Sequence, residues 1–211
     1  MKTKSIVLLS GGIDSATALF WSKNKGYDTY ALTFKYGNWN SNEVNSAKKL
    51  AKISKVIKHL VVDVNFLNQI SDLQYSKELR KNVKYFLKIF PQTYIPSRNT
   101  VFFGIASHYA EIYGANYIVT GHSFIDPFPD SKPQYVKALN DALNYGSWLG
   151  KKYKTKIIMP LAEMNKTDIL KLALKLKIPL KLTWSCYKNK KIACGKCNGC
   201  INISKTTESL K

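Results

Sequence analysis

Two clusters in this chain combine residue types and spacings that can do chemistry. The first is Ser10-Gly11-Gly12-Ile13-Asp14-Ser15. A short apolar run, residues 6–9, precedes it and is long enough for a buried strand. Asp14-Ser15 then opens a helical pattern with Ala16, Ala18, Leu19 and Phe20 on its inner face. The order is strand, glycine turn, helix start. N–H groups at a helix start are unpaired and carry partial positive charge, and glycines let an anion come close to them. The chemistry implied is phosphate binding. The turn lacks the Lys of a P-loop, and its glycines are adjacent rather than spaced as in dinucleotide folds. The plain alternative is a tight turn between strand and helix.

The second cluster is Cys186, Cys194, Cys197 and Cys200, spaced C-x7-C-x2-C-x2-C with Gly195 and Gly199 between them. These are all the cysteines of the chain, and their close spacing favours a metal over disulfides. Four thiolates suit tetrahedral Zn²⁺ in a closed, structural site. Three close cysteines also suit an iron–sulfur cluster.

Single residues add to these clusters. Arg98 lies in the first turn of a helix, where the dipole disfavours a cation, so an anion is expected near it. Lys166 opens another helix in the same unfavourable way, which either phosphate contact or a Lys-rich surface explains. Asp126 and Asp130 stand in a proline-rich acidic loop, residues 123–133, where they can accept hydrogen bonds from a base or hold Mg²⁺. Asp-Pro turn chemistry is the alternative. His108 is expected to pack on an amphipathic helix rather than to bind a ligand.

Strands are expected at residues 29–36, 59–64, 117–120 and 156–159, besides the first. Helices are expected to start at Ser41, with Val44, Ala47, Leu50 and Ala51 inward, and near Tyr135. Another runs to Tyr113 with Val101, Ile105, His108, Tyr109 and Ile112 on one side, and Gly114 as its stop. Asn165 caps the last, with Ile169, Leu172, Ala173 and Leu176 inward. Alternating strands and helices predict an α/β fold with a parallel sheet and right-handed crossovers. Ligands in such folds gather at the carboxyl ends of the strands, where Ser10, Tyr36 and Asp63 fall. Residues 65–95 break the rhythm and read as an insertion or lid.

The chain has 211 residues, 45% of them hydrophobic, enough for one domain with an appendage. No apolar run reaches the roughly 20 residues of a membrane span, and the N-terminus has no secretory pattern, so a cytoplasmic protein is expected. The net charge of +20 suits a nucleic-acid partner or is compositional, since Lys is spread throughout. No RNA-binding motif supports the former.

The glycine loop resembles the signature of the ATP pyrophosphatases, the PP-loop enzymes. With Pro96, Arg98-Asn99, Asp126, Pro129-Asp130, Lys166, Ser185-Cys186-Tyr187 and the terminal cysteines, nearly the whole chain resembles the 7-cyano-7-deazaguanine synthase family. The resemblance implies a doubly wound, mostly parallel sheet (adenine nucleotide alpha hydrolase-like, Rossmann-like), residues 1–180, and a small C-terminal zinc module, residues 181–211. It implies ATP binding by Leu9, Ser10, Gly11, Gly12, Ile13, Asp14, Ser15, Ala16, Thr17, Ala18 and Leu19, with Arg98 and Lys166. Asp126 and Asp130 would meet the substrate, and the four cysteines Zn²⁺. The implied reaction converts 7-carboxy-7-deazaguanine and ammonia to the nitrile through adenylates and an amide, with ATP and Mg²⁺, for queuosine or archaeosine. Homodimers are common in the family. The chain departs from it at residues 37–40, which read Gly-Asn-Trp-Asn rather than Gly-Gln-Arg-His, and at Ser97, where the family has Gly. A relative that stops at the amide or takes another deazapurine, a PP-loop tRNA modifier, and a non-catalytic zinc-containing nucleic-acid binder are the competing readings.

Overall fold

The computed structural model describes residues 2–36, 41–67, 95, 97–123, 126, 128–148, 150, 154–186, 192–197, 199–201 and 203–204. Five strands form one sheet: β1 (Lys4–Leu8), β2 (Asp28–Lys35), β3 (Lys58–Asp63), β4 (Tyr117–Val119) and β5 (Lys156–Ile158). Their order is β3-β2-β1-β4-β5, and every pairing is parallel. The helices are α1 (Ile13–Asn24), α2 (Ser41–Ile53), α3 (Arg98–Tyr113), α4 (Pro133–Gly146) and α5 (Lys166–Lys175).

The strands read as nearly unbroken apolar runs because helices cover both faces of the sheet. On one face Ile6, Leu32, Ile118 and Ile157 pack with Phe103, Ala106 and Ala110 of α3 and Val136 of α4. On the other, Val7, Ala31 and Val119 pack with Ala16 and Leu19 of α1, Leu50 of α2 and Ala173 of α5. Successive side chains point to opposite faces, so Ile6 and Val7 serve different cores. The expected doubly wound α/β fold is the one observed.

Two expectations about α3 change. The fully buried residues are Asn99, Phe103, Ala106 and Ala110; of the expected stripe Val101, Ile105 and Tyr109 pack partly buried against the same core, while Ile112 and His108 do not. Ile112 is 57% exposed. His108 is exposed rather than packed, with its ring against Tyr109. The helix is apolar on most sides, so periodicity selects no face. The small Ala106 and Ala110 decide it by allowing close approach to the sheet. Gly114 is the left-handed stop, at φ 62°. The expected lid over residues 65–95 lies almost wholly outside the described residues.

Candidate active site at the strand ends

The chain leaves β1 for β2 on one side and reaches β4 on the other, so the topology reverses beside β1. In open α/β sheets the crevice outside the carboxyl ends at such a point takes the ligand. A cavity of about 240 Å³ lies there. Ser10 enters it from the loop after β1, Tyr36 from the end of β2, and Thr120 and His122 from the end of β4.

The loop is held by contacts that explain its residue types. Gly11 has φ +95°, and a Cβ there would lie 2.9 Å from Ala47 N and from Ser46 Cβ, and closer still to the Glu43 carbonyl. Only glycine lets the loop rest on α2. Gly121 serves the same end from β4, since a Cβ there would lie 2.7 Å from the Asp14 carbonyl carbon. The Ser15 hydroxyl accepts from Ser10 N and Gly11 N, both at 3.2 Å, and donates to Gly12 O at 2.9 Å. Trp184 N donates to Gly11 O at 2.9 Å, tying the segment before the cysteines to the loop. The α1 N-terminus has no side-chain cap. By contrast, α5 carries a full capping box between Asn165 and Asp168. The N–H groups at the α1 start thus carry no side-chain cap beside the crevice that Ser10, Asp14 and Ser15 line, which leaves them available to an anion.

Charged groups converge on the same crevice. The Lys166 ammonium pairs with one carboxylate oxygen of Asp14. The other, Oδ1, is buried without a hydrogen-bond partner. Burial pushes the Asp14 carboxyl above its ordinary value, Lys166 pulls it back, and Asp126 adds to the rise. Across the cavity, Glu43 from α2 faces Arg98, and burial pushes its carboxyl up to about 7 against the pull of that guanidinium. The Tyr36 phenol is also raised by burial and accepts a hydrogen bond from Arg98. Burial holds His122 below its ordinary value, although Asp126 and Asp130 oppose this. Its Nδ1 lies 3.0 Å from Thr120 Oγ1.

The expected site residues thus separate. Leu9, Ser10, Asp14, Ser15, Arg98 and Asp126 line the cavity. Gly11, Gly12 and Ile13 shape the loop and helix start. Ala16, Thr17, Ala18 and Leu19, expected with the nucleotide, instead turn wholly into the core, each 0% exposed. The first turns of α1 are enclosed on several sides, by the sheet and by Leu50 of α2 and Ala173 of α5, so consecutive side chains are buried there, Ser15 among them. Asp126 accepts from Ser123 N at 2.9 Å. Asp130 accepts from Asn99 N at 2.9 Å and from Asn99 Nδ2 at 3.0 Å. It is a remote cap for α3, whereas the carboxylate across the cavity from Arg98 is Glu43. Asp63 stays outside the cavity, half exposed beside Lys35 at 3.4 Å. Glu43 and His122 escaped the sequence reading. His122 follows β4 directly, a position that marks it. Glu43 carries no such mark, because only the packing of α2 on the loop brings it in.

The four cysteines form a second site. Their sulfurs all lie within 4.8 Å of one another, and none is in a disulfide. The Sγ–Sγ separations are 3.5 Å for Cys197–Cys200 and 4.0 Å for both Cys194–Cys200 and Cys186–Cys197. Thiolates about 2.3 Å from a tetrahedral ion stand roughly 3.8 Å apart, so the set is sized for one metal. The backbone N–H groups of Lys196 and Cys197 pull the Cys194 thiol down to about 6, while burial and the neighbouring thiols push Cys200 up to about 12.

The family model for the queuosine biosynthesis protein QueC matches residues 4–210. The chain belongs to this family. A 7-cyano-7-deazaguanine synthase from Thermoplasma volcanium is 39% identical over 203 residues, 95% of this chain and 84% of that one. One from Oceanobacillus iheyensis is 36% identical, over 93% and 90% of the two chains. These QueC relatives are enzymes of the ligase class. The solved structure of a 4-thiouridine synthetase–RNA complex with bound ATP superposes with a TM-score of 0.60 at 18% identity. It covers 99% of this chain and 50% of that one, and at that identity shares the fold alone. No described helix is long and apolar enough to cross a membrane.

Proposed function

We propose that this QueC-family enzyme converts 7-carboxy-7-deazaguanine and ammonia to 7-cyano-7-deazaguanine with ATP, supplying queuosine or archaeosine synthesis. The observation that carries the reading is the uncapped α1 N-terminus beside the Asp14–Lys166 pair at the switch point. A carboxylate is a poor acyl donor. Attack of its oxygen on the α-phosphorus of ATP gives an acyl adenylate and releases pyrophosphate. Ammonia then displaces AMP and leaves the amide. A second adenylation, on the amide oxygen, lets the nitrile form as AMP departs.

The α1 N–H groups, Lys166 and Arg98 stabilise charge on the leaving pyrophosphate. Asp14 fits Mg²⁺, because its buried Oδ1 lacks a partner and a bare oxygen is what a hard cation takes. The ion, when bound, neutralises phosphate charge. Asp126 is the carboxylate that meets the guanine-like N–H edge of the substrate. Asp130 supports it through α3 rather than by contact. Zn²⁺ fits the four thiolates, and fixes the segment that hydrogen-bonds the loop through Trp184. Ammonia rather than a protein amide is the nitrogen source, and a homodimer is the expected assembly in the cytoplasm.

Mass spectrometry of a reaction with ATP, Mg²⁺, ammonium and 7-carboxy-7-deazaguanine tests this. Nitrile with AMP and pyrophosphate is expected. Amide alone would mean a shortened reaction, and no turnover would overturn the substrate. The net charge of +20 favours one second reading, a PP-loop tRNA modifier. That reading requires tight, steeply salt-dependent tRNA binding.

A further inference from the structure

The reaction releases protons, and the cavity holds several groups that can bind one. Most are already engaged. Asp14 pairs with Lys166 through one oxygen and leaves Oδ1 for the proposed Mg²⁺, Asp126 accepts from Ser123, His122 meets Thr120, and Arg98 meets Tyr36. Glu43 differs. It lines the cavity from the first turn of α2, and its carboxylate has no hydrogen-bond partner among the described residues. Its main-chain carbonyl packs on Gly11, which fixes its place against the loop. The groups facing it are Arg98 from α3 and the Tyr36 phenol from β2, with Asp14, His122 and Asp126 on the remaining walls.

We propose that Glu43 is the proton acceptor for carbon–nitrogen bond formation. This rests on the ligase reading above. The ammonia lone pair bonds to the acyl carbon of the adenylate. The bond from that carbon to the phosphate oxygen breaks, and its electron pair leaves with AMP. One N–H proton passes to the Glu43 carboxylate, leaving a neutral amide. Adenylation of the substrate carboxylate releases no proton, so Glu43 has no part in that step. Arg98 opposite keeps the ionised form accessible, and burial keeps its basicity near that of the medium, where a general base works best. Below pH 7 Glu43 is increasingly protonated and cannot accept. Above it the carboxylate is free to act.

The two steps separate in the assay. Exchange of labelled pyrophosphate into ATP, with 7-carboxy-7-deazaguanine and no ammonium, reads adenylation. Amide formation at fixed free ammonia, across pH, reads the second step. In Glu43→Gln, exchange should be retained, changed by far less than amide formation even though Glu43 faces Arg98 across the cavity. Amide formation should fall by about 10²–10⁴-fold and lose its rise with pH. Glu43→Asp keeps a carboxylate and should keep part of the rate and the pH dependence. If the Gln variant fails to fold, the Asp variant still reads the two steps. Loss of exchange together with amide formation would overturn the proposal, as would unaltered amide formation with the same pH profile. Absence of exchange in the unaltered enzyme would overturn the ligase reading, and this proposal with it.

Discussion

Gly11 and Gly12 are neighbours in one loop, yet they should respond in opposite ways to the same substitution. In Gly11→Ala the new Cβ meets α2 backbone at Glu43 and Ala47, which cannot swing aside. The residue also sits at φ +95°, where an L side chain is strained by about 1–2 kcal/mol. Overpacking against a fixed neighbour adds about 1–3 kcal/mol. The sum, roughly 2–5 kcal/mol, lowers Tm by about 5–15 °C for a chain of this size. Gly12→Ala has none of these problems. Its φ is −76°, and its nearest neighbours would lie at 3.6 Å, ordinary contact. Its loss should stay within about 1 kcal/mol, because alanine is a poorer N-cap. Denaturant and thermal unfolding of the two variants, without nucleotide, give the comparison. Equal losses in both would refute the argument that α2 sets the loop.

Two further outcomes follow from other parts of the fold. Cys197→Ser should lose bound metal and stability together, with metal affinity falling more than the roughly 10–100-fold typical of outer-shell changes. Because Trp184 links this segment to Gly11, ATP affinity should weaken too; a variant that kept its metal and melted like the parent would contradict the structural site. Ser97 sits at φ 53° and ψ 21°, a left-handed position that favours glycine. Ser97→Gly should relieve about 1–2 kcal/mol of strain, less the chain entropy glycine adds, for a net gain near 0.5–1 kcal/mol in unfolding free energy. A destabilised Gly variant would show that the serine side chain matters more than its backbone.

Much of this enzyme was legible in its sequence, because the deciding features are local. Alternating strands and helices gave the sheet, since each segment carries its own period. The Ser-Gly-Gly-Ile-Asp-Ser turn and the four cysteines could be read because their chemistry depends on short spacings. Asn165 could be read as a cap for the same reason. The failures were of another kind. The helical pattern placed Ala16, Ala18 and Leu19 inward, and they are buried; the resemblance grouped Ala16–Leu19 with the nucleotide, and their side chains lie in the core instead. Ile112 and His108 were given an inward face on a helix whose composition specifies none.

What the sequence determined by itself, then, was the fold class, the glycine turn at the start of α1 and the thiolate set. Only the tertiary structure decided which groups share the crevice. Glu43 is 32 residues from Gly11 and Lys166 is 152 from Asp14, and no local rule joins them. Parallel strands force long crossovers, so residues that meet at the strand ends come from distant parts of the chain. Asp130 shows the consequence most plainly. It reads as a substrate ligand in its loop, and the fold gives both its oxygens to Asn99, at the start of a helix 31 residues away.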